Sequence, residues 1–436
     1  MSARAVKAAL VALLAGISAP ALTQNMAITN ATLVVGDGSE PIRGGTVLVQ
    51  NGKVVAAGIS VAVPAGVRTI DAGGKWVTPG LVVAVTDLGL VDVGLVDESN
   101  DANAAKSPFS AALDISAAIN PAAQPIAVSR AGGVTRAAVA PIATGAIFGG
   151  QGAVIDLGAD PQAVMIPRAF QYLELGETAA ARAGGSRAAT WASLRNAFGE
   201  ARELAAAPAG ARRDDVLLTR SDAAALVPAV TGKQPLYVRV ERAADIRMVL
   251  ALRREFPALR LVIVGASEGW LVASELAAAG IPVLATPLND LPSSFEELGA
   301  TQSNVGRMAA AGVKVALGAF ALGVANDGPR YAPQYAGNLV ALTLVPGASG
   351  LSWGKAFAAI SSGPAEAMGL GDKIGSLRPG RAGDVVIWDG DPLEASSGVL
   401  QVFIDGIEQP LSNHQTRLRD RYKAPTEGDL PKAYDW

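Results

Sequence analysis

The side chains on which this sequence could build chemistry are carboxylates, guanidinium groups and hydroxyls. There is no cysteine, and one histidine, His414, close to the C-terminal end. Thiolate nucleophiles, disulfides and Cys-ligated metals are therefore excluded. His414, in LSNHQTRLRDRY, has no ligand-type neighbour two or four residues away and reads as a surface histidine of the tail. With that histidine so placed, a Ser–His–acid triad is not expected. Glu268, Asp290 and Asp327 follow strand-like runs, where an acid can line a site, although solvation is the ordinary state of a loop carboxylate. The run Gly149-Gly150-Gln151-Gly152 could approach a ligand with its backbone, and a tight turn is the simpler expectation. Val264-Gly265-Ala266-Ser267-Glu268-Gly269 lacks the Gly-x-Gly-x-x-Gly spacing of a dinucleotide loop.

The elements that would position such groups follow from the apolar pattern. Half of the 436 residues are hydrophobic, with 49 Gly and 26 Pro, which points to a folded chain with many short turns rather than to disorder. Short β-like runs occupy Ala31–Val35, Thr46–Gln50, Lys53–Ala57 and Arg68–Asp71, and Asn51-Gly52 joins two of them as a type I′ hairpin pair. β-like runs return at Asp384–Trp388 and Val402–Ile404, so the two ends of the chain could combine into one small sandwich. Between them, Val134–Ala140, Leu236–Val240, Leu259–Val264, Ile281–Ala285 and Val313–Leu317 read as buried strands. Amphipathic helices are expected at Thr190–Ala206, Ala243–Phe256, Gly269–Ala279 and Ser303–Ala311. This alternation suits a (β/α)8 barrel or a doubly wound sheet, and the pattern alone does not choose.

The first 21 residues read as an export leader. Arg4 and Lys7 precede the apolar run Ala8–Ile17, and Ala19-Pro20-Ala21 offers small-x-small cleavage, which predicts a periplasmic or secreted protein. Ten apolar residues are too few to span a bilayer, and no later run reaches about 18. The formal charge of -3, with basic residues scattered, argues against a nucleic-acid surface.

Three stretches settle the choice of fold. AITNATLVVGDGSEPIRGGTVLVQNGKVVAAG with TIDAGGKWVTPGL, AGGVTRAAVAP with GGQGAV, and IGSLRPGRAGDVVIWDGDPLE resemble amidohydrolases of the imidazolonepropionase-like branch. The resemblance implies a TIM-type (β/α)8 barrel, residues 78–373, inserted in a composite β-sandwich of residues 22–77 and 374–411, with a tail at 412–436. It also implies a metal site built mostly from histidine, and here the matching positions are substituted. The His-x-His pair of a GLIDAHTHL-like run falls on Val85 and Asp87, and the later histidines on Arg239 and Gly265. The closing-strand aspartate falls on Phe320, and a fourth-strand lysine, by a looser match, on Tyr172. Period-two spacing would point residues 85 and 87 together into the barrel mouth. Of the six, only Asp87 could ligate a cation, and a catalytic zinc needs about three protein ligands.

The expected function divides accordingly. The resemblance implies hydrolysis of carbon–nitrogen bonds other than peptide bonds. The residues predict loss of the zinc and of any other cofactor, and a pseudoenzyme whose mouth binds a small ligand or a partner subunit. That partner would be a second copy or an intact amidohydrolase relative. Arg239 is expected to pair with Asp87 where the family holds a cation. The competing reading is metal-independent hydrolysis, with Asp87 or Glu241 as general base and Arg239 polarising a carbonyl.

Overall fold

Asn51 and Gly52 both take positive φ, 52° and 72°, as a type I′ turn requires. They join β2 (Ile42–Gln50) to β3 (Lys53–Gly58) in a computed structural model that describes residues 25–208, 210, 214–318 and 328–423. β1 (Met26–Leu33) pairs antiparallel with β2, and carries β4 (Arg68–Asp71) along its first half and β5 (Trp76–Pro79) along its second.

Eight strands then form a second sheet: β6 (Leu81–Thr86), β7 (Val134–Val139), β8 (Phe148–Asp156), β9 (Val164–Glu174), β10 (Leu236–Val240), β11 (Leu261–Gly265), β12 (Val283–Ala285) and β13 (Val315–Leu317), in that spatial order. They form a nearly closed barrel. Its seam is bridged by residues 359 and 360: Leu317 N donates to Ala359 O at 2.9 Å and Val82 N to Ile360 O at 3.0 Å. The regular (β/α)8 expectation needs one correction. β8 runs antiparallel to both β7 and β9, because the chain returns directly through a short turn instead of a crossover helix. Asp156 and Asp160 hold that turn by accepting from Gly158 N and Gln162 N, each at 2.8 Å. Gly149–Gly152 is consequently strand, not a tight turn. Gly152 is bare because an added Cβ would meet the Phe170 ring.

β14 (Val385–Trp388), β15 (Val399–Ile404) and β16 (Ile407–Gln409) complete the first sheet, β14 pairing with β5. The composite domain is thus one bifurcated sheet. It curls around a core of Ile28, Leu33, Val47, Val49, Val77, Ile387 and Phe403 drawn from both ends of the chain. The predicted helices lie at Arg187–Ala206, Ala243–Glu255, Ala273–Ala279 and Asn304–Ala310, and pack on the outside of the barrel. The leader falls outside the described residues. Among those described, no helix is long and apolar enough to cross a membrane. His414 opens the helix His414–Lys423 and is half-buried, with its Nδ1 enclosed and lacking a hydrogen-bond partner among the described residues.

The two domains share one buried ion cluster. Arg136, on β7, reaches the loop before β14 and places Nε 2.7 Å and Nη2 2.8 Å from the two Asp384 oxygens. The Arg136 and Asp384 side chains are only 3% and 4% exposed. Asp405 joins at 2.9 Å, and burial together with the Asp384 charge lifts its carboxyl above the usual range despite the guanidinium. Removing one member of such a pair strands a charge in a dry interior. Arg136→Met should therefore lower the unfolding free energy by about 3–5 kcal/mol, measured by chemical denaturation. A loss under about 1 kcal/mol would show that water reaches Asp384.

Candidate active site at the barrel mouth

The barrel interior is dry below its mouth. Ala84, Val85, Ala138, Ala140, Val262, Val264, Leu284 and Ala316 line it around Phe170, Tyr172 and Tyr237. The Phe170 and Tyr237 rings, on the adjoining strands β9 and β10, stack 4.0 Å apart in the interior. This is the packed centre that inward-pointing strand residues produce in a small barrel.

Val85 faces this interior by an irregular route. Simple alternation would put residues 83 and 85 on one face, yet Val83 packs outward among the helices and Val85 inward. The β6–β7 register slips between Val83 and Thr86, and Val85 takes a φ of 56°. A β-branched residue in that region is strained and must be held by its surroundings. Asp87 follows just past the strand end and is buried.

Arg239 stands at the mouth, one inward position above Tyr237 on β10. Its ion-pair partner is Glu241, with Nε 3.5 Å from Oε1, and not the Asp87 expected from sequence. The side chain is 40% exposed although protein surrounds it on most sides, so it sits on the floor of an open cup. Burial works against its charge, but Tyr172, Glu241 and Glu174 around it more than compensate and keep it protonated. Tyr172 is wholly buried, and its hydroxyl has no hydrogen-bond partner among the described residues. Arg239 acts on that hydroxyl as a neighbouring charge, while burial, first, and Glu174 push its ionisation upward.

Glu241 is the best-held acid of the mouth. One oxygen accepts from Ser267 N at 3.0 Å and from Ser267 Oγ at 2.8 Å. Burial raises its carboxyl above the ordinary range against the opposing pull of Arg239 and these donors. Gly265 explains how the acid fits. Its φ is 89°, and an added Cβ would strike the Glu241 carboxylate. The bare backbone at Gly265 is therefore the seat of Glu241. Phe320 lies outside the described residues.

Sequence reasoning missed three contributors. Glu174 sits two residues beyond Tyr172 on the same strand, pairs in register with Arg239, and holds Arg182 at 2.9 Å. Period two would have found it. Asn289 Nδ2 donates to Ser267 Oγ at 3.3 Å. Ser267 is the centre of a Gly-x-Ser-x-Gly run, Gly265 to Gly269, at a strand-to-helix turn, and that spacing was the available signal. The run is not a nucleophile elbow in the usual sense, since Ser267 is buried and its hydroxyl faces a carboxylate instead of an imidazole. Glu268 is structural: its carboxylate accepts from Ala243 N and Gly299 N, each at 2.9 Å. Asp290 likewise accepts from Gln302 N.

A divalent metal does not suit this donor set. Among the described residues no three His, Cys, Asp or Glu side chains converge as ligands. The Arg239 guanidinium and apolar walls face this end of the barrel, and a fixed positive charge repels a cation. A cavity of about 950 Å³ opens at the opposite end of the barrel.

With the geometry in place, the likeness to known proteins is clear. Residues 221–406 match the sequence model of the amidohydrolase family, a span that includes Arg239, Glu241 and Gly265. An amidohydrolase from Thermotoga maritima superposes with a TM-score of 0.74 at 26% identity, covering 88% of this chain and 99% of that one. Molinate hydrolase (TM-score 0.54, 18% identity, 94% and 99% covered) shares the fold. So does a Xanthomonas campestris adenosine deaminase with bound zinc (0.52, 17%, 92% and 97%). The amidohydrolase tasK of Hapsidospora irregularis is 38% identical over 60 residues, 14% of this chain, and the chain spans about 6% of that protein's length. The chain has the amidohydrolase fold.

Two outcomes test the site. Gly265→Ala should destabilise the protein by about 1–3 kcal/mol through its left-handed backbone alone. Combining it with Glu241→Ala should restore only the part due to the clash, measured by denaturation of the single and double variants. The pH dependence has a fixed sign. A folded carboxyl that holds its proton more tightly than the unfolded one loses stability as pH rises from the ordinary glutamate value through its raised value. The stability of Glu241→Gln relative to wild type should therefore increase between pH 5 and pH 8, and a flat difference would refute the raised value.

Proposed function

We propose that this chain is an exported amidohydrolase-type protein that has left metal-based hydrolysis and uses its barrel mouth to bind a small ligand or a partner subunit. The observation that carries the reading is Arg239. A permanently charged guanidinium, anchored on Glu241 and flanked by Glu174, occupies the centre where a hydrolytic metal would be needed. Without a metal, water at neutral pH is not ionised enough to attack an amide. An intact amidohydrolase relative or a second copy is the partner that would give such a subunit a role.

A second reading rests on Glu241. A buried carboxyl with a raised pKa, beside a cation that solvent can reach, is the pairing a metal-independent hydrolase would use as base and electrophile. Asp87, buried at the same mouth, is the other candidate base.

One experiment separates the readings. The purified protein should contain well under one transition-metal ion per chain, and should hydrolyse neither acyl-dipeptides nor cyclic amides, with or without chelator. Stoichiometric zinc with chelator-sensitive turnover would overturn both. Turnover indifferent to chelator and reduced at least about 100-fold in Arg239→Ala would favour the second.

A further inference from the structure

We propose that the cleft at the N-terminal end of the barrel strands is a second binding site, for a small organic anion carrying two or more negative charges on an apolar body. The cleft measures about 950 Å³ and opens between the barrel floor, the segment 355–372 and loops of the composite domain. Domain junctions of this size are where small-molecule sites usually form. It lies at the far end of the strands from Arg239, behind the stacked Phe170 and Tyr237 rings, and is independent of any reading of the mouth.

Its charges are the reason for the assignment. Five cations line it against three carboxylates. Arg378 is matched by Asp37 at 3.2 Å. Among the described residues, Arg260, Lys314 and Lys355 have neither a hydrogen bond nor an ion pair to their side chains, and Arg381 has only its bond to the Pro379 carbonyl. The Arg381 Nε is itself buried without an acceptor. Some exposed arginines elsewhere do find carboxylates, as Arg195 does on Glu255 and Arg247 on Glu275. A buried guanidinium N–H lacking an acceptor, beside unmatched cations, calls for an acceptor from outside the chain. The floor supplies the other half of the recognition. Leu261, Val262, Pro282 and Val315 present apolar surface beneath those cations, so the fitting ligand is amphipathic, unlike a bare ion.

The test uses 1-naphthyl phosphate as probe, titrated calorimetrically into the full chain at near-physiological ionic strength. Saturable binding at one site per chain is expected. It should weaken by about tenfold or more in Arg260→Ala/Lys314→Ala, whose side chains are both exposed and tolerate truncation without loss of the fold. Arg202→Ala/Arg254→Ala, which removes the same charge outside the cleft, should bind as wild type does. Circular dichroism checks that both variants are folded. Absence of saturable binding, equal weakening in the two variants, or an unchanged affinity in Arg260→Ala/Lys314→Ala would each overturn the proposal. Loss of binding in Arg239→Ala would move the probe to the mouth and overturn it too.

Discussion

The molecule hangs on how one buried cation, Arg136, is neutralised. The composite sheet is assembled from residues near both ends of the chain, and Val386, Trp388, Val402 and Ile404 pack it into the core around the barrel. Arg136 projects from the second barrel strand into that sheet and meets Asp384 with two parallel hydrogen bonds. Desolvating Arg136 and Asp384 is costly, and only near-ideal geometry offsets it. That requirement fixes the register of the sheet relative to the barrel: a slip of one residue would leave the guanidinium facing apolar side chains. The adjoining bond from Gly80 N to Asp384 O, at 3.0 Å, sets the point where the chain leaves the sheet and enters β6. The start of the barrel, and with it the position of the mouth, inherits its place from this cluster.

At the mouth the same logic appears in a looser form. Glu241 can be buried because Gly265 vacates the necessary volume and Ser267 supplies two donors. Arg239 can remain charged because Glu241 and Glu174 face it. Each residue is explained by its neighbour, and the group is organised around the Arg239–Glu241 ion pair. A metal centre holds its donors by strong directional bonds, whereas this centre is held by packing and by hydrogen bonds to backbone.

Much of this was legible in the sequence, and the exceptions have physical causes. Leu236–Val240 is a strand at the bounds its β-branched, apolar run predicted, and Asn51-Gly52 made its turn. The positions Tyr172, Arg239 and Gly265 do face or border the barrel interior, where the spacing of a regular strand points them. What failed was whatever depended on irregular backbone. The slip at Val85 defeats simple alternation, and β8 reversed direction because two Asx turns stabilise a hairpin that hydrophobic pattern cannot reveal. The partner of Arg239 was misjudged for a related reason. Register places Glu174 beside it, and the turn after β10 brings Glu241 back over it, a local geometry that no spacing encodes.

The stacked pair Phe170 and Tyr237 has one more consequence. Together with the apolar side chains around it, the pair fills the barrel between its two ends. The cup around Arg239 above and the cation-rich cleft below share the walls of β10 and β11 and are separated by this packed apolar layer. Substitutions at the two ends are therefore expected to act independently of one another, because among the described residues no side chain belongs to both.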